Sequence, residues 1–192
     1  MGGHRRGDCV NVPLAAHAQS AGSGQALELP TESPLRALAP DRPALVVLLR
    51  SFGCTFCREA MADVARAKSK ITSSGAAIAF VHSESPAEAA PWFAKYGLSD
   101  VITISDPELQ HYRAFGLGQT PVQALVDPKV WLRGAASAAV HGFGVQTAEM
   151  VRRQPGVFVV LGGRITAEFR HHSPSDRPDY LALVGASDAA LQ

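Results

Sequence analysis

Residues 45–62, LVVLLRSFGCTFCREAMA, decide how the rest of the chain is read. The six residues from Ala44 to Leu49 are all apolar. An unbroken apolar run of that length, bounded by turn residues, suits a strand buried on both faces, as in a parallel sheet. Ser51-Phe52-Gly53 ends the strand, and a helix is predicted from Cys54-Thr-Phe-Cys57 through Arg58, Glu59, Ala60, Met61, Val64 and Ala65.

Strand, short turn, CxxC and helix is the sequence form of a thioredoxin-like redox site. Unpaired N–H groups at a helix start, together with the positive end of the helix dipole, favour a thiolate over a thiol. Two cysteines three apart share a helix face and are within reach of each other for a disulfide. Arg50 and Arg58 flank the pair and are expected to add positive potential. A structural zinc clip would need a second pair of ligands. The only other cysteine is Cys9, and His4, His17, His82, His111, His141, His171 and His172 show no ligand spacing. No metal site is therefore expected, and redox chemistry is preferred over a zinc clip or an inert buried pair.

With 192 residues, 46% of them hydrophobic, the chain can bury one full core. Residues 26–192 are read as one domain, and residues 1–25 as a flexible N-terminal segment rich in Gly, Ser, Ala and His. A formal charge of +1 argues against bulk electrostatic binding to nucleic acid or to a membrane surface. No apolar run approaches the ~18–20 residues of a membrane span. Arg5 and Arg6 are followed by no apolar stretch of a secretory leader, so a reducing cytoplasmic setting is expected. Cys9 is either an incidental free thiol or a resolving partner for the CxxC.

Downstream, Ser73-Ser74-Gly75 should end the CxxC helix. Buried strands are predicted at 76–82 and 101–105, with a helix at 86–96 closed by Gly97 and another at 109–115 started by Asp106-Pro107-Glu108. A short strand is expected at 26–29 and a turn of helix at 35–38. Residues 130–140 and 145–153 form a helical insertion. Two strands, 157–161 and 164–170, joined by Gly162-Gly163, make a hairpin, and a helix spans 180–190. The alternation of strands and helices indicates an α/β fold with a central mixed sheet flanked by helices.

This order resembles the thioredoxin superfamily in its peroxiredoxin-like form. More narrowly it is similar to the branch of the AhpC/TSA family that includes prostamide/prostaglandin F synthase-like proteins. The residues carrying the resemblance are LLRSFGCTFCRE (48–59), SDPELQHYRAFGLG (105–118) and GVFVVLGGRITAEFRHHSPSDRP (156–178). The resemblance implies a thiol-disulfide oxidoreductase acting on a disulfide or peroxide, reduced by an external thioredoxin-type or glutathione-type donor. Peroxiredoxins of the common kind carry Pro-x-x-x-Thr-x-x-Cys. With Cys57 at the cysteine of that pattern, Cys54 stands at the Thr position and Arg50 at the Pro position, a departure that favours dithiol chemistry. Thioredoxin logic makes Cys54 the attacking residue, nearer the helix start and the solvent, with Cys57 resolving. Peroxiredoxin logic makes Cys57 the peroxidatic residue. The fold family also implies a cis-proline facing the cysteines, for which Pro155 is preferred to Pro121.

No glycine-rich dinucleotide fingerprint follows a strand, so no bound cofactor is expected. His82 is read as a structural histidine rather than a proton carrier, and His171 and His172 as solvated loop. Glu59 is read as a charge favourable to the helix dipole, and Trp92 and Trp131 as packing residues. The alternative to an enzyme is a binding module that uses the CxxC only as a redox sensor. Oligomeric state leaves no mark in the sequence.

Overall fold

The computed structural model describes residues 19–38 and 40–189. Cys9 and the first 18 residues of the segment read as flexible lie outside the described residues. Six strands form one sheet: β1 (Gln19–Ala26), β2 (Ala44–Leu48), β3 (Ala77–His82), β4 (Ile102–Ser105), β5 (Gly156–Leu161) and β6 (Arg164–Arg170), in the order β1-β6-β5-β2-β3-β4. β2, β3 and β4 run parallel, whereas β5 pairs antiparallel with β2, β6 with β5, and β1 with β6. The sheet is mixed, as expected.

β2 lies in the middle of this order, which is why residues 44–49 are apolar without alternation. Leu45, Val47 and Leu49 enter one core with Phe80, Val157 and Val159. Ala44, Val46 and Leu48 enter the opposite core with Val81, Phe158 and Val160. The first core is covered by helices α2 (Thr55–Ser73), α3 (Pro86–Lys95) and α8 (Tyr180–Ala189) through Cys57, Met61, Val64, Ile71, Phe93 and Leu183. The second is covered by α1 (Leu35–Leu38) and α4 (Gln110–Ala114) through Leu35, Tyr112 and Phe115. On α2, positions 57, 61, 64 and 71 repeat at helical spacing, so one stripe points into the core.

Between β4 and β5 the chain makes α5 (Val122–Leu125), α6 (Pro128–His141) and α7 (Ala148–Arg152). This is the predicted helical insertion, with one additional short helix. Gly162 and Gly163 both have positive φ, which the two-residue turn of the β5–β6 hairpin requires.

One strand lies elsewhere than predicted. The N-terminal strand is Gln19–Ala26, not 26–29, with Gln19 opposite Glu168 and Ala26 opposite Arg164 on β6. It covers the edge that β6 would otherwise expose. A Gly/Ser/Ala-rich stretch has no apolar alternation in its sequence to mark a strand.

The turn from β4 into α4 is held by Asp106. Its carboxylate accepts from the backbone N–H groups of Gln110 and His111, both at 2.8 Å, and of Tyr112 at 3.3 Å. Tyr112 in turn donates its hydroxyl to the Leu49 carbonyl, next to Arg50. Burial acts to raise the Asp106 pKa, but hydrogen bonds from His111 and Gln110 outweigh it and hold it below its ordinary value. The contribution of the ionised cap is therefore complete above the unfolded value of ~3.9 and is lost as pH falls through the lower folded value. Asp106→Ala is expected to lower unfolding free energy by about 1–2 kcal/mol, as for other lost helix caps. Urea denaturation at pH 7 checks this; an unchanged midpoint would contradict the capping role.

Candidate functional site

β2 delivers the chain to the site at a fixed point, because Leu48 and Leu49 are locked in the two cores. Arg50 follows directly, and Cys54 forms the N-cap of α2. The Cys54 carbonyl accepts from the N–H groups of both Cys57 and Arg58 at 3.1 Å, closing the first turn. Both cysteines are free thiols.

Arg50 is the cation of the site. Its Nη2 donates to Cys54 Sγ at 2.9 Å, its Nη1 donates to the Val151 carbonyl at 2.8 Å, and its backbone N–H points to Cys57 Sγ at 3.3 Å. Hydrogen bonding from the Cys57 thiol, followed by the charge and hydrogen bond of Arg50, outweighs burial and lowers the Cys54 pKa to about 5. Cys57 moves the other way: the bond it makes to Cys54, and its own burial, push its thiol well above the ordinary value. Burial opposes the Arg50 charge, yet the two cysteines more than compensate and raise its pKa.

The expectation that Cys54 is the more solvent-exposed cysteine is not met. Cys54 is 2% exposed and Cys57 4%. The cover is the stretch after α6. Gly144 N–H donates to the Gly53 carbonyl at 2.8 Å, and a Cβ at Gly53 would stand 2.5 Å from the Val145 carbonyl oxygen. Gly53 therefore serves as more than a strand breaker: it lets the covering segment approach.

Arg58, expected beside the thiols, is engaged elsewhere. Its Nε donates to the Phe52 carbonyl at 2.6 Å and its Nη1 to the His141 carbonyl at 3.2 Å, and the guanidinium lies 4.3 Å from the centre of the Trp92 ring. It ties the CxxC turn to the end of α6. Trp92 is a packing residue, stacked on Phe52 at 6.0 Å. Trp131 is not, being 69% exposed.

Pro155 immediately precedes β5 and lines a small cavity with Arg50, Cys54, Cys57, His171 and Tyr180. Among the described residues no peptide bond is cis, so neither Pro155 nor Pro121 has the expected isomer. The proline faces the cysteines all the same, because β5 is paired with β2 and Gly156 lies opposite Leu48.

Two residues of the site were not anticipated. The sequence suggests solvated loop at His171; the structure buries it in the cysteine cavity, while His172 is exposed. The cause lies downstream, where Arg177 clamps Asp63 of α2 with two bonds of 2.5 Å and pulls the 171–178 loop against the helix. The Arg-Pro pair at 177–178 gave no hint of that clamp. Arg153 is the other: buried, it donates to Ser83 Oγ at 2.7 Å and to the Arg50 carbonyl at 3.4 Å. His82 is buried against Phe52 at 5.4 Å between ring centres, and burial lowers its pKa; its Nδ1 lacks the hydrogen bond expected of it. Glu59 accepts from Arg133 of α6 at 2.9 Å, which binds the insertion to α2.

A second, more open groove lies on the other side of Cys54. Its floor is Arg50 and Cys54, and its walls include Phe56, Val130, Trp131, Phe143 and Val151. Among the described residues no group of three or more His, Cys, Asp or Glu is arranged to hold a metal ion. No described helix is long and apolar enough to cross a membrane.

No family model matches this sequence, and no curated protein matches it. Solved structures do. The bacterioferritin comigratory protein of Xanthomonas campestris, studied for alkyl peroxide reduction, superposes with a TM-score of 0.59 at 17% identity, over 88% of this chain and 100% of its own. Reduced Prx3 of Vibrio vulnificus, solved with hydrogen peroxide, gives 0.55 at 14% identity, over 88% and 97%. Apo Sco1 of Thermus thermophilus gives 0.53 at 16% identity, over 91% and 96%. These likenesses, together with the sheet order and the helix begun by Cys54, make the fold thioredoxin-like, with a helical insertion ahead of the C-terminal hairpin.

Proposed function

We propose that this chain is a thiol-disulfide oxidoreductase of the peroxiredoxin-like branch of the AhpC/TSA proteins, working through a Cys54–Cys57 dithiol/disulfide cycle. One observation carries the reading: at the start of one helix the Arg50 guanidinium bonds Cys54 Sγ at 2.9 Å while only its backbone N–H reaches Cys57 Sγ at 3.3 Å, which favours the thiolate on Cys54. Groups separated in this way take different roles. Cys54 is the nucleophile and Cys57 the resolving thiol.

With a disulfide substrate, the Cys54 thiolate attacks one sulfur, a Cys54–S–S–R bond forms and the other sulfur leaves as thiolate. Cys57 then attacks Cys54 Sγ, closing the internal disulfide and releasing the second thiol. With a peroxide, Cys54 takes one oxygen to become a sulfenic acid and the alcohol or water leaves after protonation. Cys57 then condenses with the sulfenic acid and releases water. Both routes end in one internal disulfide, which an external thioredoxin-type or glutathione-type dithiol reduces. The apolar groove above Cys54 supports substrates with an apolar flank. The cycle needs no cofactor and suits a reducing, cytoplasmic setting.

Assigning the peroxidatic role to Cys57 has less support, since its thiol is the one held protonated. The sensor alternative is separated by turnover. With thioredoxin, its reductase and NADPH, the chain is expected to consume many equivalents of a disulfide or organic hydroperoxide, and to lose this in both Cys54→Ser and Cys57→Ser. Oxidation of a single equivalent, with no further NADPH consumed, would establish the sensor instead.

Thiolate character is open to direct measurement. The rate of Cys54 alkylation by iodoacetamide should be flat at neutral pH and fall as pH drops through about 5. Arg50→Gln should move that midpoint up by about 1–3 units, the usual effect of losing an opposite charge in contact. A wild-type midpoint at the free-thiol value of ~8.5 would rule out the activated nucleophile.

The division of labour is tested by trapping. Cys57→Ser should accumulate a mixed disulfide with substrate or reductant on Cys54, visible by mass spectrometry, while Cys54→Ser should accumulate none. The reverse pattern would assign attack to Cys57.

A further inference from the structure

We propose that the outward face of α6, with Trp131 and Leu132 at one end and Val140 at the other, is the surface on which two copies of this chain pair as a two-fold dimer. The proposal does not rest on the thiol chemistry above. It starts from Trp131, which the sequence suggests as a packing residue and the structure leaves 69% exposed.

One side of α6 is fastened to α2. Val130 and Ser137 are buried, Thr55 bonds Ser137 at 3.1 Å, and Arg133 donates to Glu59 at 2.9 Å. The opposite side carries Trp131, Leu132, Ala135, Ala136, Ala139 and Val140, all exposed and spaced at i, i+4 and i+8 in two rows. Arg133 is the one Lys, Arg, Asp or Glu between Trp131 and Val140, so no charge interrupts that face. Exposed apolar side chains scattered singly need no explanation, whereas a contiguous group marks an interaction surface. Here they are grouped: among the described residues, seven of the eight large hydrophobic side chains left exposed lie between Val122 and Val145. Trp131 is also fixed in place, its indole N–H donating to the Leu125 carbonyl at 3.1 Å. An aromatic already held in position loses little entropy when a partner covers it.

The occupant that this face fits is a second copy of itself. Its residues run large at both ends and small in the middle. An antiparallel copy turned about Ala135 and Ala136 sets the Leu132 of each chain over the Ala139 of the other, as an isologous contact requires. The alanines at the axis let the two backbones come close, and Trp131 and Val140 close the flanks. The area suffices as well. Trp131 and Phe143, at 69% and 77% exposure, alone present roughly 300 Å². With Leu132, Val140, Val126 and the three alanines, the face is of the order of the ~800 Å² per partner that a specific dimer buries. Weak redox encounters bury less than this, and a charge-depleted apolar face is the composition of a homodimer interface. Trp131, Ala135 and Phe143 also wall the groove over Cys54, so pairing brings the second copy to the rim of that groove.

The test uses the full chain with Cys9→Ser under reducing conditions, so that no intermolecular disulfide contributes. Sedimentation equilibrium from about 1 to 100 μM should give twice the mass of a single chain, the Kd being micromolar or tighter. Ala135→Glu and Ala136→Arg each put a charge at the axis of the pair, and each should give the mass of one chain. Their far-UV circular dichroism should be unchanged, because both positions are exposed and both replacements are good helix formers. Mixed in equal amounts, the two variants should regain the doubled mass, since each charge then meets its opposite across the axis. Where a charged variant fails to fold, Leu132→Ser at a 77% exposed position takes its place, and should raise the dimer Kd at least about tenfold. A parent protein that keeps the mass of one chain at the highest concentration would overturn the proposal. So would a dimer that persists unchanged in the folded variants, or a mixture that stays at the mass of one chain. Sedimentation of a monomeric parent protein with vesicles of phosphatidylcholine and phosphatidylglycerol would assign the face to lipid and overturn the dimer.

Discussion

A buried thiolate needs a buried cation, and the 2.9 Å bond from Arg50 to Cys54 meets that need. An isolated ion taken out of water costs several kcal/mol even after the protein relaxes, and only a well-made pair offsets it. Much of the surrounding structure serves to hold that guanidinium. Leu48 and Leu49 fix its backbone in two cores, and the Val151 carbonyl from the end of the insertion accepts from its other arm at 2.8 Å. Arg153 donates to its carbonyl. The end of the insertion therefore acts on the same residue that β2 positions.

The insertion is fastened to α2 along its length. Thr55 bonds Ser137 at 3.1 Å, Arg133 bonds Glu59, and Arg58 reaches the His141 carbonyl. Where these ties end, Gly53 and Gly144 bring two backbones together above Cys54. A side chain at Gly53 would force the segments apart, its Cβ standing 2.5 Å from the Val145 carbonyl oxygen. The result is a pair of thiols closed off from bulk water, with an open groove at one flank and a small cavity at the other. Water exclusion strengthens the Arg50–Cys54 interaction, since the local dielectric is low.

How much of this the sequence disclosed follows from the range of each interaction. The fully apolar run at 44–49, the CxxC after a turn, and the Gly-Gly between two apolar stretches are local patterns, and each element appears where its pattern lies. Arg50 was also legible, because one residue past a buried strand its position is nearly fixed. Arg58 was not. Next to a cysteine in sequence, it projects from the helix toward the Phe52 and His141 carbonyls, a matter of angle around α2 that adjacency does not convey. His171 was misread because its burial is imposed by the Arg177–Asp63 clamp across 114 positions. The Gln19–Ala26 strand was misplaced because its Gly/Ser/Ala-rich sequence has no apolar alternation to mark it.

The equal burial of the two cysteines removes exposure as the ground for choosing the nucleophile and leaves electrostatics to decide. Cys54 caps the helix and receives a side-chain bond from Arg50; Cys57, one turn on, receives a backbone N–H and gives its own proton to the bond with Cys54. The same hydrogen bond lowers one pKa and raises the other. Arg50, bonded to Cys54, thus favours the negative charge on that sulfur. Arg50, one residue past β2, therefore distinguishes the two sulfurs, bonding Cys54 through its guanidinium and Cys57 through its main chain.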